Sequence, residues 1–371
     1  MKTLFLISVV LLLNSSHTFC QRIKWQQTKV EKISHLKKLM DSLSVPAVSI
    51  AIINNYQVAW AKAYGIADKQ TKRLTNINTL FQAASMSKTV NAILILKLVQ
   101  SGKLSLNKDF RVYLRSWVFP DNQFSKGKLI TLRDILSHES GIGVHGFEGY
   151  SQGKTLPNLT QILNGTYPAN NEPIEPVQLP GKEYYSGGGI MVVQKILADN
   201  FKESYADLVR QNIFTSLVLK ESNYNQPLIN KESSTAAKGY HKDSAGVKEV
   251  TSVYPELAAA GLWTTPSEMA KIIIALQKSL SGKSETLLPY SIAVDMTTPV
   301  RNFGGMGVAL NEINGYKYFY HNGENQGFCC EYMSSCKGGY GIVVMTNGEN
   351  LQIVKSIIEA VAKVYKWPGY N

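Results

Sequence analysis

Cysteine is scarce in this chain, with four in 371 residues: Cys20, Cys329, Cys330 and Cys336. That excludes a disulfide-stapled scaffold, which is short and dense in cysteine. Adjacent Cys329 and Cys330 would point to opposite faces of a strand. Buried free thiols are the preferred reading, with a bridge from one of them to Cys336 across a hairpin as the alternative. Histidine is sparse too. His138 and His145 stand seven apart and fit no His-Glu-x-x-His arrangement, which argues against a zinc site. There is no internal repeat, low-complexity stretch or zinc-finger or RNA-recognition signature. Charged residues make up only 18% and hydrophobic residues 44%, so the chain can bury a core and is not of the disordered class. The apolar run from Leu4 to Leu13, broken only by Ser8, is too short to cross a membrane.

That run reads instead as a signal peptide, with Lys2 as its positive start and polar Asn14 to His17 behind it. Thr18 and Cys20 are the small residues before a cut ahead of Gln21. The expected product is one domain over residues 21–371, exported to the periplasm or secreted, with no stable membrane span. Acidic residues are in the minority, 27 against 39 basic, for a formal charge of +12. One denser basic stretch runs from Arg22 to Lys38. The excess suits an anionic surface such as a cell-wall polymer. Without a nucleic-acid motif it reads as a solvated basic surface.

Strands and helices are distributed unevenly. Thr28–Leu43 has helical spacing. Ala47–Ile53 and Gln57–Tyr64, joined at Asn54-Asn55, read as a β-hairpin. A long apolar helix follows from about Met86 to Gln100. Short helices are predicted at Leu132–Ser137, Leu159–Leu163, Ile190–Asp199 and Tyr205–Leu217, then a longer one at Pro266–Ser279. Four strand-like runs come next, Gly307–Glu312, Tyr316–His321, Gln326–Tyr332 and Gly339–Thr346, before a last helix at Leu351–Tyr365. Strands grouped at both ends predict an α+β fold, an α/β sandwich. One antiparallel sheet is built from N- and C-terminal segments and flanked by helices. A mostly helical insertion spans about 103–260, and a site is expected in the cleft between the two parts.

Ser85-Met86-Ser87-Lys88 is a Ser-x-x-Lys motif, and the spacing alone decides little. It recurs at Ser34/Lys37, Ser105/Lys108, Ser125/Lys128, Ser151/Lys154 and Ser334/Lys337. Only Ser85 opens a helix that is apolar nearly all round, hence buried. Residues three apart share a helix face, so the Lys88 amine can reach the Ser85 hydroxyl. A desolvated lysine can accept a serine proton, and helix-start N–H groups aim at developing negative charge. A competing pattern, Gly149-Tyr150-Ser151-Gln152-Gly153, matches the Gly-x-Ser-x-Gly elbow but lacks the strand before it and the helix after it.

Five ordered segments resemble the class C β-lactamase-related family of serine hydrolases, which also holds penicillin-binding proteins, D-peptidases and esterases. They are Phe81 to Thr89 around Ser85, Ile130 to Gly141 with its His-x-Ser-Gly turn, Pro180 to Gly187 around Tyr185, Ala259 to Pro266, and Tyr320 to Phe328. The likeness runs from about Pro46 to the C-terminus and implies a β-lactamase/transpeptidase-like fold. It further implies that Ser85 forms an acyl-enzyme while Lys88 and Tyr185 share proton transfer. The backbone N–H groups of Ser85 and Glu324 would form the oxyanion hole, and His321, Asn322 and Gly323 would line the substrate strand. Gly323 is expected to keep that strand's surface open for substrate. No cofactor is implied, and the partner is a small-molecule or peptide substrate of cell-wall type.

Two departures stand out. The family's Tyr-x-Asn is Tyr185-Ser186-Gly187 here, and its Lys-Thr-Gly is His321-Asn322-Gly323. An acyl-side amide contact and a permanent positive charge are both lost. This favours ester, amide or D-amino-acid peptide substrates over β-lactams. The His321 charge is expected to switch near the ordinary histidine pKa of ~6.5. His138 reads as a residue that holds a turn.

Overall fold

The computed structural model describes Gln21, residues 23–301 and residues 303–370. The expected signal peptide, with Cys20, lies outside the described residues. Seven strands form the main sheet: β1 (Ala47–Asn54), β2 (Gln57–Asp68), β3 (Arg73–Leu74), β4 (Ala309–Ile313), β5 (Tyr316–Asn325), β6 (Phe328–Ser335) and β7 (Gly341–Thr346). Their order is β4-β5-β6-β7-β1-β2-β3, with every neighbour antiparallel. The first strand therefore lies between the second and the last, closing the two ends of the chain into one sheet.

β1 reads as a nearly unbroken apolar run because both of its faces are covered. Val48, Ile50 and Ile52 face a core shared with helix α6 (Leu351–Val364) and with Leu36 near the N-terminus. Ala47, Ala51 and Ile53 face the second core, which holds helix α1 (Ser87–Gln100) and helix α5 (Pro266–Leu280). Ile353, Val354, Ile357, Ile358 and Val361 of α6 are buried, each worth about 1.5–3 kcal/mol of burial. α1 carries no such stripe. Everything from Ser87 to Leu96 is buried, as its almost wholly apolar sequence predicts, and that includes the polar Ser87, Lys88, Thr89 and Asn91. Cys329 and Cys330 point into opposite cores as free thiols, and Cys336 is free and half-buried.

Several boundaries differ from expectation. The predicted Thr28–Leu43 helix breaks at His35, which takes φ +47°, and a second helix covers Leu36–Ser42. The Ser34 hydroxyl donates to Val30 O at 2.8 Å, a local bond that competes with helix continuation. The first hairpin turns on Asn55 and Tyr56, both at positive φ, one residue later than predicted. Tyr205–Val209 is α-helical and then widens into a π-type turn at Arg210–Phe214. A hairpin at Gly239–Asp243 and Gly246–Val250 stands where short helices and loops were expected. Charged residues stand on both faces, Lys242 and Glu249 on one and Asp243 and Lys248 on the other, so no alternation betrays it. The Asp243 side chain accepts from Ala245 N and closes the turn.

Candidate active site

Ser85 sits in a 3-10 turn, Ala84–Met86, directly before α1. Ala84 holds φ +45°, a backbone position that costs a residue with a Cβ of order 1–3 kcal/mol. The surroundings impose it. Ala83 N donates to Leu262 O at 2.8 Å, and the Ser87 hydroxyl donates to Ala84 O at 2.6 Å while accepting from Leu262 N. Lys88, 2% exposed, donates from Nζ to Ser85 Oγ and to Ala259 O, both at 2.9 Å. Ala259 belongs to helix α4 (Leu257–Ala260). The one-turn spacing thus makes the expected contact, and α4 supplies a second acceptor that aims the amine.

Tyr185 comes from the loop before helix α3 (Gly187–Asn200), which begins three residues earlier than predicted. Ser186 caps that helix, accepting from Gly189 N at 2.7 Å. The Tyr185 ring lies 5.0 Å from Lys88 Nζ. Three imidazoles surround the tyrosine: His138 at 4.4 Å, His145 at 4.9 Å and His321 at 6.2 Å between ring centroids. His138, just past helix α2 (Leu132–Leu136), holds its turn as expected. It takes φ +62°, and its Nδ1 accepts from Ser186 N. Nε2 therefore carries the proton. Burial, then the Lys88 charge, hold the His138 imidazole well below the ordinary range.

β5 brings up the other wall. Asn325 donates to Gln82 Oε1 and to Ala260 O, tying the strand end to the segments flanking Ser85. A Cβ on Gly323 would stand 2.6 Å from Ala83 O, 2.9 Å from Ser85 N and 2.9 Å from Cys330 Sγ. Gly323 lines the cleft, and its missing side chain also makes room for the backbone of the Ser85 turn. His321 departs from expectation. Its Nδ1 donates to Asn322 O at 2.6 Å. Burial, then the Lys88 charge, push it down to about 4. It therefore stays neutral through the pH range where a switch was expected.

Ser85, Lys88, Tyr185, Asn322, Gly323 and Glu324 line one cleft of about 420 Å³. His321 does not line it. His145, Gly146 and Phe147 line it as well. Sequence reasoning did not assign these three residues to the site. Their one signal was their place just after the His-x-Ser-Gly turn. Ser151 stands in a two-residue strand paired with Ser252, outside the cleft and with no following helix.

The Beta-lactamase family model matches residues 33–366. Among curated relatives, protein Flp of Staphylococcus aureus strain N315 is 26% identical over 347 residues, covering 90% of this chain and 65% of that protein. The teichoic acid D-alanine hydrolase of Staphylococcus aureus is 27% identical over 274 residues, covering 72% of this chain and 64% of that one. The chain spans just under two thirds of the length of these relatives. Among solved structures, the D-amino acid amidase of Ochrobactrum anthropi SV3 superposes with a TM-score of 0.74 at 21% identity, over 92% of this chain and 99% of that one. An octameric penicillin-binding protein homologue from Pyrococcus abyssi gives 0.74 and 21%, over 91% and 77%. At such identities the likeness is one of fold. The sequence match, by contrast, takes in the sheet, the Ser85 turn, the Tyr185 loop and β5 together, and the chain belongs to the beta-lactamase family of serine hydrolases.

Proposed function

We propose that this chain is an exported hydrolase, periplasmic or secreted, that acts through a Ser85 acyl-enzyme on esters, amides or peptides of D-amino acids. The observation that carries the reading is the buried Lys88 amine, 2.9 Å from Ser85 Oγ with the Tyr185 ring 5.0 Å away. In this mechanism Ser85 Oγ attacks the carbonyl and its proton passes to the Lys88–Tyr185 pair. The oxyanion is received by the N–H groups of Ser85 and Glu324, on segments held against each other at Gly323. The leaving group takes the proton back, and water then releases the acyl group by the same steps.

The substrate class rests on charge and size. Among the described residues, Lys88 is the one lysine or arginine lining the cleft, and it is already engaged by two acceptors. Neutral His321 adds no second cation for a β-lactam carboxylate. A cleft of this volume suits a small acyl donor. The names of the two relatives, a teichoic acid D-alanine hydrolase and a D-amino acid amidase, support a D-aminoacyl ester or amide. The apolar run from Leu4 to Leu13 supports export.

The test combines a fluorophosphonate probe and a fluorescent penicillin with turnover of a D-alanyl ester and of nitrocefin. The expected result is a label on Ser85, lost in Ser85→Ala, with kcat/KM for the ester at least roughly tenfold above that for nitrocefin. A label on another serine would overturn the mechanism. Nitrocefin as the better substrate would make this a β-lactamase proper, and penicillin labelling without turnover would make it a binding protein.

A further inference from the structure

The family's Tyr-x-Asn triplet ends here in Gly187, and the structure shows what occupies the space. A Cβ on Gly187 would stand 3.0 Å from Phe147 Cε2, 3.1 Å from His145 O and 3.5 Å from Gly146 Cα. The Gly187 N–H donates to His145 O and the Gly188 N–H to Val144 O, both at 2.9 Å. A Cβ on Gly188 would come within 2.3 Å of Gly143 O. The segment 143–147 is thus seated on the first turn of α3, where a side chain at position 187 would project.

The segment is built into place. Val144 and Gly149 bend it at positive φ, +62° and +75°. Beyond Phe147, the Tyr254 hydroxyl donates to Glu148 O and accepts from Gln326 N, next to the cleft residue Asn325. Asn170 donates to Gly149 O at 2.8 Å. What the segment presents to the cleft is an exposed imidazole, His145, beside the half-buried ring of Phe147.

We propose that His145 replaces the missing triplet amide as the group that recognises the acyl half of the substrate, with Phe147 and Ala260 as the apolar wall beside it. An imidazole offers an N–H donor and a lone pair on one ring. It can therefore meet the α-amido nitrogen or carbonyl of an N-acylated amino acid, while the wall accepts a side chain as small as a methyl. The substrates selected are N-acyl-D-aminoacyl esters and amides with small side chains. This inference rests on the acyl-enzyme reading at Ser85.

A matched pair of substrates tests it: the p-nitrophenyl esters of N-acetyl-D-alanine and of propionic acid, alike except for the α-amido group. The quantity read is the ratio of their kcat/KM values in the full chain, in His145→Ala and in His145→Gln. The ratio should fall at least about tenfold in His145→Ala, chiefly through KM for the amido ester. His145→Gln, which keeps a donor and an acceptor, should recover part of it. An unchanged ratio in His145→Ala overturns the proposal even when both rates drop, because a packing role would slow the two esters alike. Absence of any fluorophosphonate label on Ser85 in the wild-type chain would instead overturn the acyl-enzyme reading beneath it.

Discussion

Lys88 is buried between two acceptors, and removing it affects chemistry more than folding. Lys88→Met fills the same space with an apolar stem and leaves the Ala259 carbonyl on the ordered end of α4. The fold should survive, and the hydrolytic rate should fall roughly 10²-fold or more, as should that of Tyr185→Phe. Because the two groups share one proton path, the double variant should lose clearly less than the product of the single losses; simple multiplication would argue for separate roles. His321 gives a second residue-level test. Its folded pKa, pushed down to about 4 from 6.5, means the folded chain releases this proton at a pH where the unfolded chain still binds it. Its contribution to stability is complete above ~6.5 and disappears as pH falls through about 4. An NMR titration of the His321 ring should show no midpoint between pH 5.5 and 8. A midpoint in that range would restore the switch that the bare sequence suggests.

Where elements meet, the tightest point is β5 against the Ser85 turn. Gly323→Ala places a methyl where Ala83 O, Ser85 N and Cys330 Sγ already stand within 3 Å. Two of those three atoms are backbone, so the strand and the turn must separate. Overpacking of this kind costs about 1–3 kcal/mol. The larger effect should be on turnover, since the displaced groups include both proposed oxyanion donors; a fall of about 10²-fold or more in kcat/KM is expected. Thermal unfolding measured beside hydrolysis separates the two effects. A variant that loses stability but keeps its rate would show that the oxyanion site lies elsewhere.

Across the whole molecule, buried carboxyl groups govern the response to pH. Glu256 is fully buried with neither oxygen hydrogen-bonded, and burial pushes it up to about 8. Tyr150 lies near enough to oppose that rise, but the two make no hydrogen bond. Glu331, in β6, is raised to about 7 by burial, against the opposing charge of Lys355. For each, the folded chain keeps its proton to higher pH than the unfolded chain. That stabilisation is complete below 4.5 and is lost as pH rises through about 7 to 8. Glu256→Gln removes one of the two titrations. The stability of wild type relative to this variant should decline steadily between pH 4.5 and 8, measured by denaturant unfolding. A difference independent of pH would mean that Glu256 is solvated or paired.

The legible features were those written in local pattern. The apolar runs at β1 and α1, the Ser-x-x-Lys spacing, the α+β order and the three-residue reach from Lys88 to Ser85 follow from side-chain periodicity and helix geometry, which depend on neighbours in the chain. The hairpin at 239–250 escaped because backbone pairing, not apolar alternation, holds it together. The remaining features were decided where distant segments press together. Ala84 adopts positive φ because Leu262 and Ser87 bind the backbone around it. Gly323 is glycine because the Ser85 turn stands against it, and Gly187 because segment 143–147 does. His321 stays neutral because it is buried beside Lys88, which is 233 positions away in the sequence. Desolvation and close packing depend on what the fold brings within a few ångströms, and no window of sequence contains that information.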